Sequence, residues 1–228
     1  MEFFNSLIKE TLALIAPLSQ KKYIKGTAWK DLGKNQIVLQ RDTAFELDGV
    51  GFNLITADEV VDGVTVIGPD LDEIKQDCRF ARISIIRIDG VDGEQNAYNL
   101  IKKIEYVKYH HFPEGYMIRT ASRSHKENVR VSKSAIREGI KFNKIGSLLI
   151  EKYKENSSVK GVSVIFITEN GFPFDKLNKI AQKNSAIVET LNHVMNSVNF
   201  DCETCNLKPV CDEVEGMKEL HFKNSSMR

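Results

Sequence analysis

Long apolar runs are missing from this sequence of 228 residues. The best candidate, Leu12 to Leu18, contains Pro17 and falls far short of the roughly 20 residues that a membrane-spanning helix needs. The N-terminal residues carry no basic leader, so they do not predict export. We therefore expect a cytoplasmic protein that does not bind a membrane.

An excess of charge is missing as well, because 32 lysines and arginines oppose 31 aspartates and glutamates, leaving a net charge of +1. A chain without a basic surplus has no general attraction for nucleic acid, so any anion site must be local. Cysteine is scarce, with four residues in all, yet three of them lie close together near the C-terminus. In a reducing compartment, such a cluster is more typical of a metal site than of a disulfide framework.

The clustered cysteines form the pattern C-x2-C-x5-C at Cys202, Cys205 and Cys211, and His221 follows. Two thiolates separated by two residues can bind one metal ion from a single turn of backbone. A [4Fe–4S] cluster, a structural zinc site and a set of reduced thiols without metal all fit this pattern. The fourth ligand could be His221, Cys78, a side chain of a partner or a small molecule.

The mixture of strand and helix patterns predicts an α+β fold. No regular βαβ alternation is present, so we expect a mixed sheet with flanking helices rather than a doubly wound sheet. Residues 1–199 form the predicted α+β domain, and residues 200–228 form a short cysteine-rich metal-binding tail. Val162 to Thr168 is apolar on both faces, which predicts a central strand. Asp175 to Val198 predicts a long helix that leads to the cysteines.

Smaller features predict where some of these elements begin and turn. Gly49 and Gly51 predict a glycine-rich corner after a strand or turn. Ser132 or Ser134 predicts the cap of a short helix, and Asn143 predicts the cap of the helix that follows.

An acidic turn at Asp70, Asp72 and Glu73 follows a β-branched strand. Carboxylates at such a corner can act in general acid–base chemistry or bind a cation. The more usual outcome is that they cap a helix and face solvent.

A basic segment lies in the middle of the chain. Its members are Arg119, Arg123, Lys126, Arg130, Lys133, Arg137, Lys141 and Lys144. Arginine side chains on a strand could converge on phosphate, because the guanidinium presents a fixed fork of donors. A ligand with several phosphates, such as coenzyme A, would suit this segment. Alternatively, the charges protect an exposed strand edge from pairing with another chain.

Three strings in the sequence resemble the middle region of acetyl-CoA synthase, the beta subunit of the carbon monoxide dehydrogenase/acetyl-CoA synthase system. They are DTAFEL at residues 42–47, DGVTVIGPDLDEI at residues 62–74 and VRVSKSAIREGIKFNKIGSL at residues 129–148. The resemblance covers roughly Asp42 to Glu169.

The resemblance implies a domain whose arginines lie near coenzyme A, with Arg119, Arg123 and Arg130 as the positions to test and Arg130 as the best aligned and therefore the principal expected contact. Lys133 of the basic segment is the fourth candidate for binding the cofactor. It also favours an iron–sulfur cluster over zinc, a role in anaerobic one-carbon metabolism, and a partner that is a protein of that system or a second copy of the chain. The sequence departs from the family by lacking a Cys-Gly-Cys unit and by having Asn128 where the family has tryptophan. The nickel chemistry of the family is therefore not expected here.

Three functional hypotheses follow from these features. The first is an iron–sulfur protein that resembles acetyl-CoA synthase and binds coenzyme A or a partner protein through the basic segment. The second is a non-catalytic interaction module in which zinc stabilises the tail. The third is a complete acyl or methyl transferase, for which the sequence supplies no evident nucleophile or second metal site.

Overall fold

A computed structural model of the chain describes residues 4–30, 41–89, 94–111, 113, 115–120 and 125–195. The predicted boundary between residues 199 and 200 and the cysteine-rich tail lie outside these residues.

Helices and strands alternate irregularly along the described part of the chain. Their order is α1 (Asn5–Ile15), β1 (Lys21–Ile24), β2 (Ala44–Thr56), β3 (Gly63–Ile67), β4 (Cys78–Ile88), α2 (Glu94–His110), β5 (Tyr116–Thr120), β6 (Lys126–Ser132), α3 (Lys133–Arg137), α4 (Phe142–Lys154), β7 (Val159–Ile167) and α5 (Phe174–Met195).

The strands form one seven-stranded sheet in the order β1-β3-β7-β4-β2-β6-β5. β2 pairs with β4 and β3 pairs with β7 in parallel, whereas the other neighbouring strands are antiparallel. The mixed sheet confirms the predicted α+β class. β7 has a partner on each side, which confirms that the apolar segment starting at Val162 belongs to a central strand.

Helices cover both faces of the sheet. α2 lies over the face that carries Asn53 and Arg82, because both side chains donate to carbonyl oxygens of that helix. α4 packs on the same face, where Phe142 stacks on Phe166 of β7. α1 and α5 contact each other and β2, and they cover the opposite face. Strands that are covered on both faces are expected to be apolar throughout, and most of β4 is indeed buried.

Stacked aromatic rings fill the centre of the layer between α4 and the sheet. The ring centroids of Phe142 and Phe166 are 4.6 Å apart, and those of Phe80 and Phe142 are 5.9 Å apart. α4 approaches the sheet closely at Gly146, where an added Cβ would lie 2.5 Å from Cγ2 of Val64. A larger residue at this position would therefore push the helix away from the rings.

The predicted corner at Gly49 and Gly51 is wrong, because both glycines lie inside the 13-residue strand β2. These glycines allow close packing instead. A Cβ at Gly49 would lie 1.6 Å from the carbonyl oxygen of Phe80 on the neighbouring strand. Glycine inside a strand often marks such a close approach.

One of the two helix-cap predictions is confirmed and the other is wrong. The hydroxyl oxygen of Ser132 accepts hydrogen bonds from two backbone N–H groups of α3, as a cap does. Asn143 is not a cap, since α4 begins one residue earlier, at Phe142. The N–H of Phe142 donates to the carboxylate of Asp70 at 2.9 Å. The group that caps the N-terminus of α4 therefore belongs to Asp70, which is distant in the sequence.

A buried ion pair joins Arg82 of β4 to Glu127 of β6 across the intervening strand β2. The Arg82 Nε lies 3.0 Å from the nearer Glu127 carboxylate oxygen, and each side chain is 2% exposed. Gly51 of β2 makes this contact possible, because a Cβ there would lie 1.7 Å from Oε2 of Glu127.

We predict that Gly51→Ala destabilises the protein by about 3 kcal/mol or more, because the new methyl group displaces Glu127 and leaves Arg82 buried without its partner. Urea unfolding monitored by circular dichroism measures the loss. Gly26→Ala is the matched control, since a Cβ at Gly26 meets only one atom, at 4.0 Å. Equal midpoints for the two variants would contradict this account of Gly51.

Candidate anion-binding cleft

The segments that resemble acetyl-CoA synthase meet at a cleft beside α3. The cleft lies at the end of the sheet where β2 begins and β6 ends, and its volume is about 630 Å³. Residues from 42–45, 72–75 and 132–137 line it, and we call it the α3 cleft. Each of these three ranges overlaps one of the three similar strings, so the fold brings together what is far apart in the sequence.

Asp70 of the acidic turn has a structural role. The side chain is buried, and its carboxylate accepts hydrogen bonds from the backbone N–H groups of Leu71 and Phe142 at 2.7 and 2.9 Å. It therefore fixes both the turn and the beginning of α4. Of the two alternatives for the acidic turn, this geometry supports capping.

Asp72 and Glu73 lie on the surface and form ion pairs. Asp72 lies 2.8 Å from Lys141, whose hydrogen bond lowers the pKa of the Asp72 carboxyl. Glu73 accepts the backbone N–H of Asp70 and pairs with Lys21, and both contacts lower the pKa of its carboxyl. A lowered pKa keeps each group ionised at neutral pH, which suits ion pairing better than general acid catalysis.

Arg130 of the basic segment is already paired within the protein. Its Nε and Nη2 donate to Oε2 of Glu46 at 3.1 and 2.9 Å. The Arg130 side chain is 10% exposed and that of Glu46 is 23% exposed. A phosphate at Arg130 would have to compete with this carboxylate.

Lys133 lines the α3 cleft, as a residue predicted to bind an anion should. Its ammonium donates to the carbonyl oxygen of Asp42 at 3.1 Å and lies 4.9 Å from the centroid of the Phe45 ring. Both contacts hold the side chain in place, and the ammonium keeps further donors for a ligand. Arg119 belongs to β5, but its side chain lies outside the described part of the structure, as does all of Arg123.

The cleft also contains residues beyond the four candidates for binding the cofactor, and of these Arg137 belongs to the basic segment. Lys75 and Arg137 contribute cations, Ile74 and Ile136 contribute apolar surface, and Asp42 contributes a carboxylate. The sequence contained one indication of Lys75, because this residue directly follows the second string that resembles the family, which ends at Ile74.

The predicted metal ligands Cys202, Cys205, Cys211 and His221 lie outside the described residues. Within those residues, no group of three or more histidine, cysteine, aspartate and glutamate side chains is arranged to bind a metal ion. The described helices also include none that is long and apolar enough to cross a membrane.

Cys78, considered above as a fourth metal ligand, lies far from the end of α5. The neighbouring Arg79 approaches Asp175 at the start of α5, at 3.9 Å. The 22 residues of α5 then carry the chain away by about 33 Å. Because Cys202 follows Met195 by seven residues, it can return by at most about 25 Å.

The family model described as CO dehydrogenase/acetyl-CoA synthase complex beta subunit matches residues 19–171. The chain belongs to this family. It is 28% identical over 165 residues to the acetyl-CoA decarbonylase/synthase complex subunit beta of Archaeoglobus fulgidus, which is 68% of this chain and 31% of that protein. It is 28% identical over 150 residues to the carbon monoxide dehydrogenase/acetyl-CoA synthase subunit alpha of Moorella thermoacetica, which is 64% of this chain and 19% of that protein.

These matches confirm the resemblance found in the sequence. The chain spans less than a third of the length of the curated relatives it matches. The family match includes every residue of the α3 cleft and ends at residue 171, before α5 and the cysteine-rich segment. The similarity to the family therefore covers the sheet and the cleft. It does not extend to the predicted metal site, which needs a separate test.

We predict that Cys78 reacts with iodoacetamide at pH 8 at least about tenfold more slowly than the three tail cysteines after chelator treatment. Burial, with a smaller effect of Asp77, raises the pKa of the Cys78 thiol to about 11, so little thiolate is present. Mass spectrometry of quenched samples gives the four rates. Fast modification of Cys78 would show that this end of β4 is more accessible than the structure indicates.

Proposed function

We propose that this chain is an acetyl-CoA-synthase-type domain that binds coenzyme A in the α3 cleft and acts in anaerobic one-carbon and acetyl-CoA metabolism. The observation that supports this most is the convergence of the three family-like strings on one cleft. Strings that are spread over more than one hundred positions line a single cavity of about 630 Å³. Structural packing alone would not require them to share a solvent-exposed site.

The charges of the α3 cleft suit phosphate. Lys75, Lys133 and Arg137 line it, opposed by Asp42 and Asp72, and Lys141 neutralises Asp72. The surroundings therefore carry a local positive excess although the whole chain is nearly neutral. A local excess attracts a multiply charged anion without promoting general binding to nucleic acid. Arg119 of β5, Arg130 of β6 and Arg123 remain candidates for additional phosphate contacts.

A protein partner is also part of this proposal. The relatives are named as subunits of complexes, and the present chain matches only a portion of each. We propose that it works together with another protein of the carbon monoxide dehydrogenase/acetyl-CoA synthase system or with a second copy of itself.

We further propose that Cys202, Cys205, Cys211 and His221 hold an iron–sulfur cluster. Three thiolates and an imidazole are soft or borderline donors, which suits iron–sulfur clusters and zinc alike. A bound cluster would supply electron transfer or, with His221 displaced, an iron with one exchangeable position. The role of this chain's residues is to provide the thiolates, at the end of the segment that follows α5.

A non-catalytic interaction module with structural zinc is the alternative. The pairing of Arg130 with Glu46 supports it, because a guanidinium that is already balanced by an internal carboxylate is less available to a phosphate ligand. In that case the cleft would bind a protein side chain rather than a cofactor.

We predict that coenzyme A binds the full chain in isothermal titration calorimetry and that the affinity falls as salt is raised, since the contacts are ionic. Lys133→Gln should weaken binding about tenfold, as expected for the loss of one charge-assisted hydrogen bond. Lys160→Gln is the control, because Lys160 lies on the surface at the start of β7, away from the cleft. The absence of binding at millimolar coenzyme A would favour the interaction module.

We predict that the anaerobically purified protein contains about four iron and four sulfide per chain. Cys205→Ser should lose them, and Cys78→Ser should retain them, because Cys78 belongs to the folded sheet. Metal and sulfide analysis together with the visible absorption spectrum measures the content. One equivalent of zinc without sulfide would instead support the alternative.

A further inference from the structure

The basic residues around the α3 cleft differ in how strongly they are engaged by the protein itself. The guanidinium of Arg130 donates two hydrogen bonds to the carboxylate of Glu46, and Lys141 forms an ion pair with Asp72 at 2.8 Å. Arg137 is exposed and forms no ion pair with any residue in the described ranges. Among Arg130 and Arg137, whose side chains the structure describes, a ligand can therefore use the five donors of Arg137 without displacing an internal carboxylate.

Lys75 is the second cation that a ligand can approach. It is exposed, and among the residues that the structure describes its ammonium donates to the carbonyl oxygen of Asp72, at 3.2 Å, and forms no ion pair. A carbonyl contact leaves the charge of the ammonium unneutralised, and two further N–H groups remain for a ligand. Lys75 and Arg137 reach the cleft from different chain segments, the turn before β4 and the end of α3.

On the basis of the proposed function, we infer that Arg137 and Lys75 are the phosphate-binding pair of the α3 cleft, and that Asp42 orients the ligand. This assignment replaces Arg130 as the principal contact. The ligand class is a phosphate ester or diphosphate whose remaining part carries apolar surface and a hydroxyl or amide donor.

The apolar part of the ligand has a matching surface. Ile74 is 7% exposed, and Ile136 and Phe45 are half-buried at the cleft. The ammonium of Lys133 already lies over the Phe45 ring, so that part of the cleft has a fixed shape. Apolar atoms packed between these side chains would be removed from water, which adds to the ionic attraction.

In the proposed site, the carboxylate of Asp42 determines the orientation of the bound ligand. Its carboxylate is exposed and forms no ion pair within the described part of the chain, while its carbonyl oxygen binds Lys133. A phosphate placed next to this carboxylate would be repelled, and a hydroxyl or amide N–H would be accepted. The phosphate is therefore expected to contact the cations Arg137 and Lys75 and not the carboxylate of Asp42.

Inorganic pyrophosphate is the first probe, titrated into the full chain by calorimetry at low salt. We expect Arg137→Gln to weaken binding about tenfold and Arg137→Lys to recover part of the loss, because lysine restores the charge but not the fork. Lys75→Gln should weaken binding several-fold, and Lys160→Gln should leave it unchanged. Asp42→Asn should strengthen it, an effect of opposite sign that partial unfolding cannot produce.

Coenzyme A is the second probe, and it separates this inference from the proposed function. If the wild-type protein does not bind coenzyme A but binds pyrophosphate in a manner that depends on Arg137, the proposed function is contradicted and the assignment of the phosphate pair is supported. Coenzyme A binding that is unchanged in Arg137→Gln would keep the proposed function and overturn the pair. No pyrophosphate binding, or equal weakening by Lys160→Gln, would also overturn it.

Discussion

The buried pair of Arg82 and Glu127 is the contact on which the arrangement of the layers depends. Removing both charges from water is costly, and the structure offsets this with a short ion pair and with a hydrogen bond from Arg82 to the carbonyl oxygen of Lys108, at 2.8 Å. Burial raises the pKa of the Glu127 carboxyl, against the opposing effects of Arg82 and Lys108. The guanidinium of Arg82 therefore links β4, β6 and α2. Gly51 of β2, which has no side chain, leaves the space for this contact.

A polar network continues this linkage to α4. The hydroxyl of Tyr153 donates to Oδ1 of Asn53 at 2.8 Å, and the amide of Asn53 donates to Glu105 of α2 at 2.9 Å. Polar groups with such directional contacts fix the position of a helix more narrowly than apolar packing does. The sheet and two helices are thereby held in one geometry, and β6 delivers Ser132 and Lys133 to the cleft from a fixed strand.

The sequence allowed much of the fold to be predicted, since apolar periodicity is local information. The central strand at Val162 and the cap at Ser132 depend on neighbouring residues and are confirmed. The predictions of a corner at Gly49 and of a cap at Asn143 are wrong, because the structure there is determined by contacts with residues that are distant in the sequence, Phe80 and Asp70. The cleft was only partly predictable for the same reason. A list of basic residues cannot distinguish one paired with a carboxylate from one that is available.

The difference between paired and available charge also explains how a nearly neutral chain could form the proposed anion site. Most of the charged groups near the cleft are paired with each other, which gives the turn and the strand their shape but attracts no ligand. In the proposed site, selectivity would rest on the few charged groups that are not paired and on Asp42, whose carboxylate would repel phosphate. A site built in this way responds to the shape of the ligand as well as to its charge, because a misplaced phosphate meets a carboxylate.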